Sequence, residues 1–313
     1  MKKFISVLLI LVLCAASGCA GAEVKISALK GPTAMGMVGM MDDPDYSFTV
    51  SAAIDEITPR LLKGECDIAA VPANMAAVLY NNTQGKIRVL ALNTLGVLYI
   101  VTNGDAGISC AEDLRGRTLY ASGKGATPEY ALNYILNGYG LIPGTDIQVE
   151  YKSEHSECLA SLLAHPGSAA LLPQPFVTTA QLKQPDVQIA LDLNELWAGL
   201  QTGEEQSALL TGAAVVRTEA LEEKPEEILA FLNDYRASVQ YVQENTAEAA
   251  ALTGRYDIVP EAVALKALPY CGIVCITGEE MKTMLSGYLQ VLLAQEPASI
   301  GGTLPDEAFY WIP

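Results

Sequence analysis

Short apolar runs alternate with longer amphipathic stretches along almost the whole chain. This alternation predicts an α/β protein with mostly parallel sheets. Residues 24–29, 46–52 and 66–71 read as strands, with helices over 34–41 and 55–63 between them. A helix starts at Pro72, where a proline suits the first helical turn. Further strands cover 87–93 and 98–102. After a turn-rich connector over 105–116 the pattern restarts: strand 117–122, glycine-containing loop 123–125, helix 127–139, strand 147–151, helix 156–163 and strand 169–172. A Pro173-Gln174-Pro175 turn, a helix from Phe176 and a strand over 187–191 follow. The last third opens with an apolar strand over 208–217. In the helix over 225–245, Ile228, Leu232, Tyr235, Val239 and Val242 form one face, and Pro225, Glu226 and Glu227 suit its first turn. Helices over 246–253, 260–268 and 278–294 complete the pattern.

A short strand ending in proline and followed by a helix occurs twice. Asp67-Ile-Ala-Ala-Val-Pro72 is matched by Ser168-Ala-Ala-Leu-Leu-Pro173. Two similar lobes are therefore expected, with the helical tail packed on the first. The chain then crosses between lobes twice, near Asn103 and near Thr211. This gives one lobe from 24–103 with 212–313 and another from 104–211.

The N-terminal pattern is different. Lys2 and Lys3 precede an apolar run from Phe4 to Leu13, and the small residues Ala15, Ala16, Ser17 and Gly18 lead to Cys19. This order reads as a secretory signal whose apolar run is too short to span a bilayer. Small residues ending at a cysteine match the cleavage box of a bacterial lipoprotein, with Cys19 as the lipidated residue over 1–19. Plain secretion with cleavage near Ala20 or Ala22 is the other reading. No later apolar run approaches the roughly 18 residues of a spanning helix. An extracytoplasmic body anchored to the cell membrane is expected.

Composition narrows the partners. The formal charge is −17 and becomes more negative once Lys2 and Lys3 leave with the signal. So acidic a body repels nucleic acid and anionic lipid. Beyond Cys14 and Cys19 lie Cys66, Cys110, Cys158, Cys271 and Cys275, an odd number that leaves at least one free thiol. Cys271 and Cys275 are spaced for a small disulfide loop. Neither His155 nor His165 is near them in sequence, which disfavours a metal site.

Several stretches together resemble the solute-binding proteins of ABC importers, in the branch serving nitrate, sulfonates, taurine and thiamine precursors. Residues 97–123, including Ile108-Ser-Cys-Ala-Glu-Asp-Leu-Arg-Gly-Arg117, resemble that family's strand, connector and restart. Residues 123–141 resemble its loop and helix, 167–176 its small-residue strand and Pro-Phe turn, and 214–245 its return strand and long Pro-Glu helix. The signal and lipobox fit Gram-positive members. The resemblance implies a two-lobed α/β fold of the type II periplasmic-binding-protein kind, with mixed sheets flanked by helices and a hinge of two crossover strands. It further implies a monomeric receptor without a cofactor, which closes on a small organic solute and hands it to a membrane permease with its ATPase.

In open α/β lobes ligands lie beyond the carboxyl ends of strands, at helix N-termini. Gly31, Pro32, Thr33 and Ala34 follow the first strand, and Thr33 is a candidate cap. Met35 is expected at the mouth, and Met37, Met40 and Met41 in the core. Asn74 follows the third strand and can both donate and accept. Asn93 and Thr94 lie near the crossover. Gly125, Ala126 and Thr127 open the second lobe, with Thr127 as a candidate cap and Glu129 opposing an anion bound close by. The family's equivalent loop contacts ligand. Gln174 and Phe176 match its other second-lobe contact, a polar handle beside a flat apolar ring.

The same fold also carries enzymes. With only two histidines, both in the 154–166 region where a surface role is expected, and no G-x-S-x-G or H-E-x-x-H pattern, catalysis is not expected. A sensory lipoprotein built from the same two lobes is the other alternative. No sulfonate, carboxylate or heterocycle is singled out.

Overall fold

A computed structural model describes residues 23–201 and 207–313; the signal segment and Cys19 lie outside the described residues. The first half of the chain runs β1 (Val24–Leu29), α1 (Pro32–Met35), β2 (Tyr46–Ser51), α2 (Ile54–Leu62), β3 (Ile68–Pro72), α3 (Ala73–Thr83), β4 (Ile87–Leu95), β5 (Leu98–Asn103), β6 (Thr118–Ala121), α4 (Thr127–Gly138) and β7 (Gln148–Tyr151). The second half runs α5 (His155–Ala164), β8 (Ala169–Pro173), α6 (Phe176–Lys183), β9 (Val187–Asp192), α7 (Leu193–Gly199), β10 (Leu210–Arg217), α8 (Thr218–Glu223), α9 (Pro225–Glu244), α10 (Thr246–Arg255), α11 (Glu261–Ala267), β11 (Ile273–Ile276) and α12 (Gly278–Gln295).

The strands form two mixed sheets. The six-stranded sheet has the order β11-β4-β10-β3-β1-β2, and the five-stranded sheet β7-β6-β8-β5-β9. In each, three parallel strands meet one antiparallel strand arriving from the other lobe: β10 beside β3, and β5 beside β8. The repeated strand-proline segments thus occupy matching central places. Their continuous apolar character follows from burial on both faces. Ile68 and Ala70 enter one core while Ala69 and Val71 enter another; in β8, Ala169 and Leu171 separate in the same way from Ala170 and Leu172.

One core joins the lobes. Met281, Leu285 and Tyr288 of α12 pack into the same cluster as Leu132 of α4 and Trp197 of α7. The Trp197 ring lies 5.8 Å from Tyr288 and 4.4 Å from Tyr134. These rings supply large apolar areas at the junction.

The first passage between sheets falls at Gly96 and Val97, earlier than the expected position near Asn103, because β5 already belongs to the second sheet. The second precedes β10. The passage at Gly96 is tied to its surroundings: Asn194 Nδ2 donates to the Gly96 carbonyl over 3.1 Å, and the Gln174 N–H donates to Val97 over 3.0 Å. A Cβ at Gly96 would lie 1.7 Å from Asn194 Oδ1, so any larger residue would displace the Asn194 side chain.

Two local expectations change. The helix foreseen over 34–41 is a short α1 followed by a 3-10 turn at Val38–Met40, held by Ser238 of α9, which donates to the Gly36 carbonyl over 2.8 Å and accepts from the Gly39 N–H over 3.1 Å. Cys271 and Cys275 are both free thiols. The chain between them runs into β11, whose rise of about 3.3 Å per residue separates them too far for a disulfide. Burial pushes the Cys271 thiol up to about 12 and the Cys275 thiol up to about 11.

Candidate functional site between the lobes

The parallel strands of each sheet end toward the same edge. In the first lobe the ends of β1 and β3 meet the start of β10 and the end of β4, with Pro72, Gly212 and Thr94 in register across three strands. Gly212 lets three side chains converge. A Cβ there would lie 2.2 Å from Asn93 Oδ1, 2.8 Å from Thr33 Cγ2 and 3.0 Å from Thr94 Oγ1. Asn93 is fully buried; its Oδ1 accepts from the Thr94 hydroxyl over 3.0 Å, and its Nδ2 has no hydrogen-bond partner among the described residues.

Around α1 the candidates separate. Gly31, at φ 115°, is the N-cap residue, and Pro32 follows it. The Thr33 hydroxyl does not cap the helix but donates back to the Leu29 carbonyl over 2.7 Å. Ala34 and Met35 are fully buried in the core beneath β1. Met35 therefore does not line the mouth: it packs in the same core cluster as Met37.

Asn74 and Thr127 are brought together directly. The Thr127 hydroxyl donates to Asn74 Oδ1 over 3.0 Å and accepts from the Tyr288 hydroxyl over 3.2 Å, while Asn74 Nδ2 donates to the Ser299 carbonyl over 3.0 Å. Both residues are buried. Thr127 is thus a tie between lobes rather than a cap; Ala126 takes the N-cap position, one residue earlier than expected. Gly125 donates its N–H to Glu129 Oε2 over 2.6 Å, so a carboxylate already faces the loop. Burial and the same Glu129 raise the Tyr151 phenol well above its ordinary value.

In the second lobe Gln174 is buried, and its Oε1 accepts from the Thr178 hydroxyl over 2.9 Å. Gln174 and Thr178 line a crevice of about 540 Å³ between α6 and α11, which Lys266, Pro269 and Tyr270 close from the other lobe. Phe176 is half-buried against its own core and lies 5.2 Å from the His155 ring. His155 is not on the surface, as the sequence suggested, but half-buried at the start of α5 with Nδ1 against the Ser122 hydroxyl. Burial lowers its pKa to about 4, which leaves the ring neutral at pH 7. His165 is exposed. The strand-end rule that selected Thr127 and Gln174 would also have found Ser122 and His155, which follow β6 and β7. Tyr288 and Ser299 carried no such signal, because they lie far along the chain in a tail read only as packing.

Among the described residues no group of three or more His, Cys, Asp or Glu side chains is placed to hold a metal ion, and no helix is long and apolar enough to cross a membrane.

No protein-family model matches the sequence, and no curated protein matches it. Solved structures do. An ABC transporter protein from Parabacteroides distasonis is 26% identical with a TM-score of 0.78, over 93% of this chain and 99% of that one. The periplasmic aliphatic sulphonate-binding protein SsuA of Escherichia coli is 16% identical with a TM-score of 0.72, over 94% and 93%. The periplasmic nitrate-binding protein NrtA of Synechocystis is 16% identical with a TM-score of 0.57, over 78% and 69%. The chain has the fold of the ABC-type periplasmic binding proteins for sulfonate and nitrate.

Proposed function

We propose that the protein is an extracytoplasmic solute receptor of an ABC importer, held at the cell membrane through an acylated Cys19. Residues 24–95 with 210–313 form one lobe and 98–200 the other, and a small organic solute is captured where their strand ends meet. The loaded receptor then delivers the solute to a permease and its ATPase. The observation that carries this reading is the contact of Asn74 with Thr127, which joins the end of a central strand in one lobe to the first helical turn of the other. Paired strand ends of this kind are where α/β proteins hold ligands, and two lobes that close bury polar groups around the solute.

A thermal-unfolding screen tests the proposal. A solute present at 100 Kd adds about 2.7 kcal/mol to the folded state. The proposal expects at least one sulfonate, carboxylate or heterocyclic solute to raise Tm. Stabilisation by a metal ion alone, with none from any organic solute, would contradict it.

A further inference from the structure

We infer that Asn93 is the specificity-determining contact of the cleft, and that its Nδ2 takes an uncharged hydrogen-bond acceptor of the solute, such as a carbonyl oxygen or ring nitrogen, rather than a sulfonate or carboxylate. The inference rests on the solute-binding reading above and narrows it.

The first argument is the unmatched donor. Buried amide groups in native proteins almost always find an acceptor, and an exception calls for an explanation. Six buried side-chain polar atoms lack a partner among the described residues, on Ser27, Thr58, Arg60, Arg88, Asn93 and Gln295. Asn93 alone belongs to the group gathered around Gly212. The Thr94 hydroxyl donates to its Oδ1, which leaves the Nδ2 donor as the unmatched end of the group.

The second argument is charge. The side chains converging at Gly212 are Thr33, Asn93 and Thr94, and those of the neighbouring tie are Asn74, Thr127 and Tyr288. None carries a charge. Lys30, the cation next to this group in sequence, pairs with Asp257 at 2.7 Å, where Asp257 is almost fully exposed. The loop at Gly125 already holds the Glu129 carboxylate. Lys266, the cation at the Gln174 crevice, is exposed and stands away from this group, so an anion buried against Asn93 would lose its hydration without a countercharge beside it, whereas a neutral acceptor loses much less. An amide donor suffices for the neutral group.

The third argument is position. Asn93 stands in β4 shortly before the passage at Gly96, with Gly212 of the returning β10 against it. A solute atom bound to Nδ2 therefore engages the strands that join the lobes.

The experiment compares the wild-type chain with Asn93→Leu and Asn93→Ser by thermal unfolding and equilibrium titration. The probes are two sets: nicotinamide, uracil, cytosine and 4-amino-5-hydroxymethyl-2-methylpyrimidine as neutral acceptors, and taurine, ethanesulfonate, nitrate and benzoate. The expected result is stabilisation of the wild type by a neutral acceptor, with affinity reduced on the order of tenfold or more in Asn93→Leu. The ligand-free Tm of Asn93→Leu should fall only modestly, because the unmatched donor is removed while the Thr94 hydroxyl loses its Oδ1 acceptor. Wild-type affinity in both variants would overturn the inference and leave the solute reading standing. So would tighter binding of the anionic set, or a steep fall in ligand-free Tm in both variants. If neither set stabilises the wild type, the solute reading fails and this inference fails with it.

Discussion

The Thr127 hydroxyl of one lobe donates to the Asn74 carboxamide of the other over 3.0 Å, at positions only 4% and 5% exposed. Tyr288 and Ser299 complete the arrangement, so each lobe's strand-end polar group is satisfied by groups across the interface or beside it. Thr127→Val deletes the donor and leaves the Asn74 oxygen and the Tyr288 hydroxyl facing an apolar group. Burying such unmatched groups costs about 1–3 kcal/mol. Urea unfolding should show that loss, and small-angle scattering should show a larger radius of gyration as the lobes separate. An unchanged unfolding midpoint would mean the tie adds nothing to closure.

Gly212→Ala tests the polar group gathered at the strand ends. The added Cβ would fall 2.2 Å from Asn93 Oδ1. Strand pairing holds Gly212 on both sides, so the Asn93 carboxamide has to move. Overpacking of this kind costs about 1–3 kcal/mol. Calorimetric unfolding should show that loss, together with loss of the solute-induced rise in Tm.

How far the sequence carried can be judged from particular elements. The doubled strand-proline segment was legible because central parallel strands, buried on both faces, need continuous short apolar runs. The helix Pro225–Glu244 was legible because a single face is buried. The passage at Gly96 was not, because β4 and β5 are both apolar and read alike whichever sheet receives them. The choice of Asn74, Thr127 and Gln174 located the strand ends, but hydroxyl and amide partners are set by tertiary contacts up to 225 residues apart, which local patterns do not encode. Met35 failed for a simpler reason: an apolar side chain beside a strand end suits the core as well as the mouth, and it is fully buried in the core.

Asp67 makes a separate prediction. Burial works to raise its pKa, but the Lys25 N–H, Lys224 at 2.9 Å and Arg217 at 3.4 Å outweigh it and hold the carboxyl below its ordinary value. A carboxylate with a lowered folded-state pKa stabilises the protein above its unfolded pKa of about 3.9, and that contribution is lost as pH falls through the folded value. Asp67→Asn should cost ~3 kcal/mol at pH 7, since it leaves Lys224 without a carboxylate and Arg217 with only the exposed Glu219. Its acid unfolding limb should also be shallower than wild type. Matching stabilities at pH 7 would remove Asp67 from the framework.

His155 responds to pH in a higher window. Burial depresses its pKa to about 4, against about 6.5 in the unfolded chain. The unfolded chain therefore takes up a proton before the folded one does. Stability contributed by the neutral ring is full above pH 6.5 and declines as pH falls toward 4. His155→Phe, which keeps a ring beside Phe176, should flatten the stability profile between those values in chemical unfolding. An identical slope in the variant would show that the ring titrates as it does in the unfolded chain.

The central claim is that one solute is held jointly by both lobes. Titration calorimetry of the best-stabilising solute against the wild type, Asn93→Leu and Gln174→Ala tests it most directly. The account predicts one solute per chain, with affinity weakened on the order of tenfold by the lesion in either lobe. A stoichiometry of one with full affinity in both variants, or no binding by any solute, would contradict it.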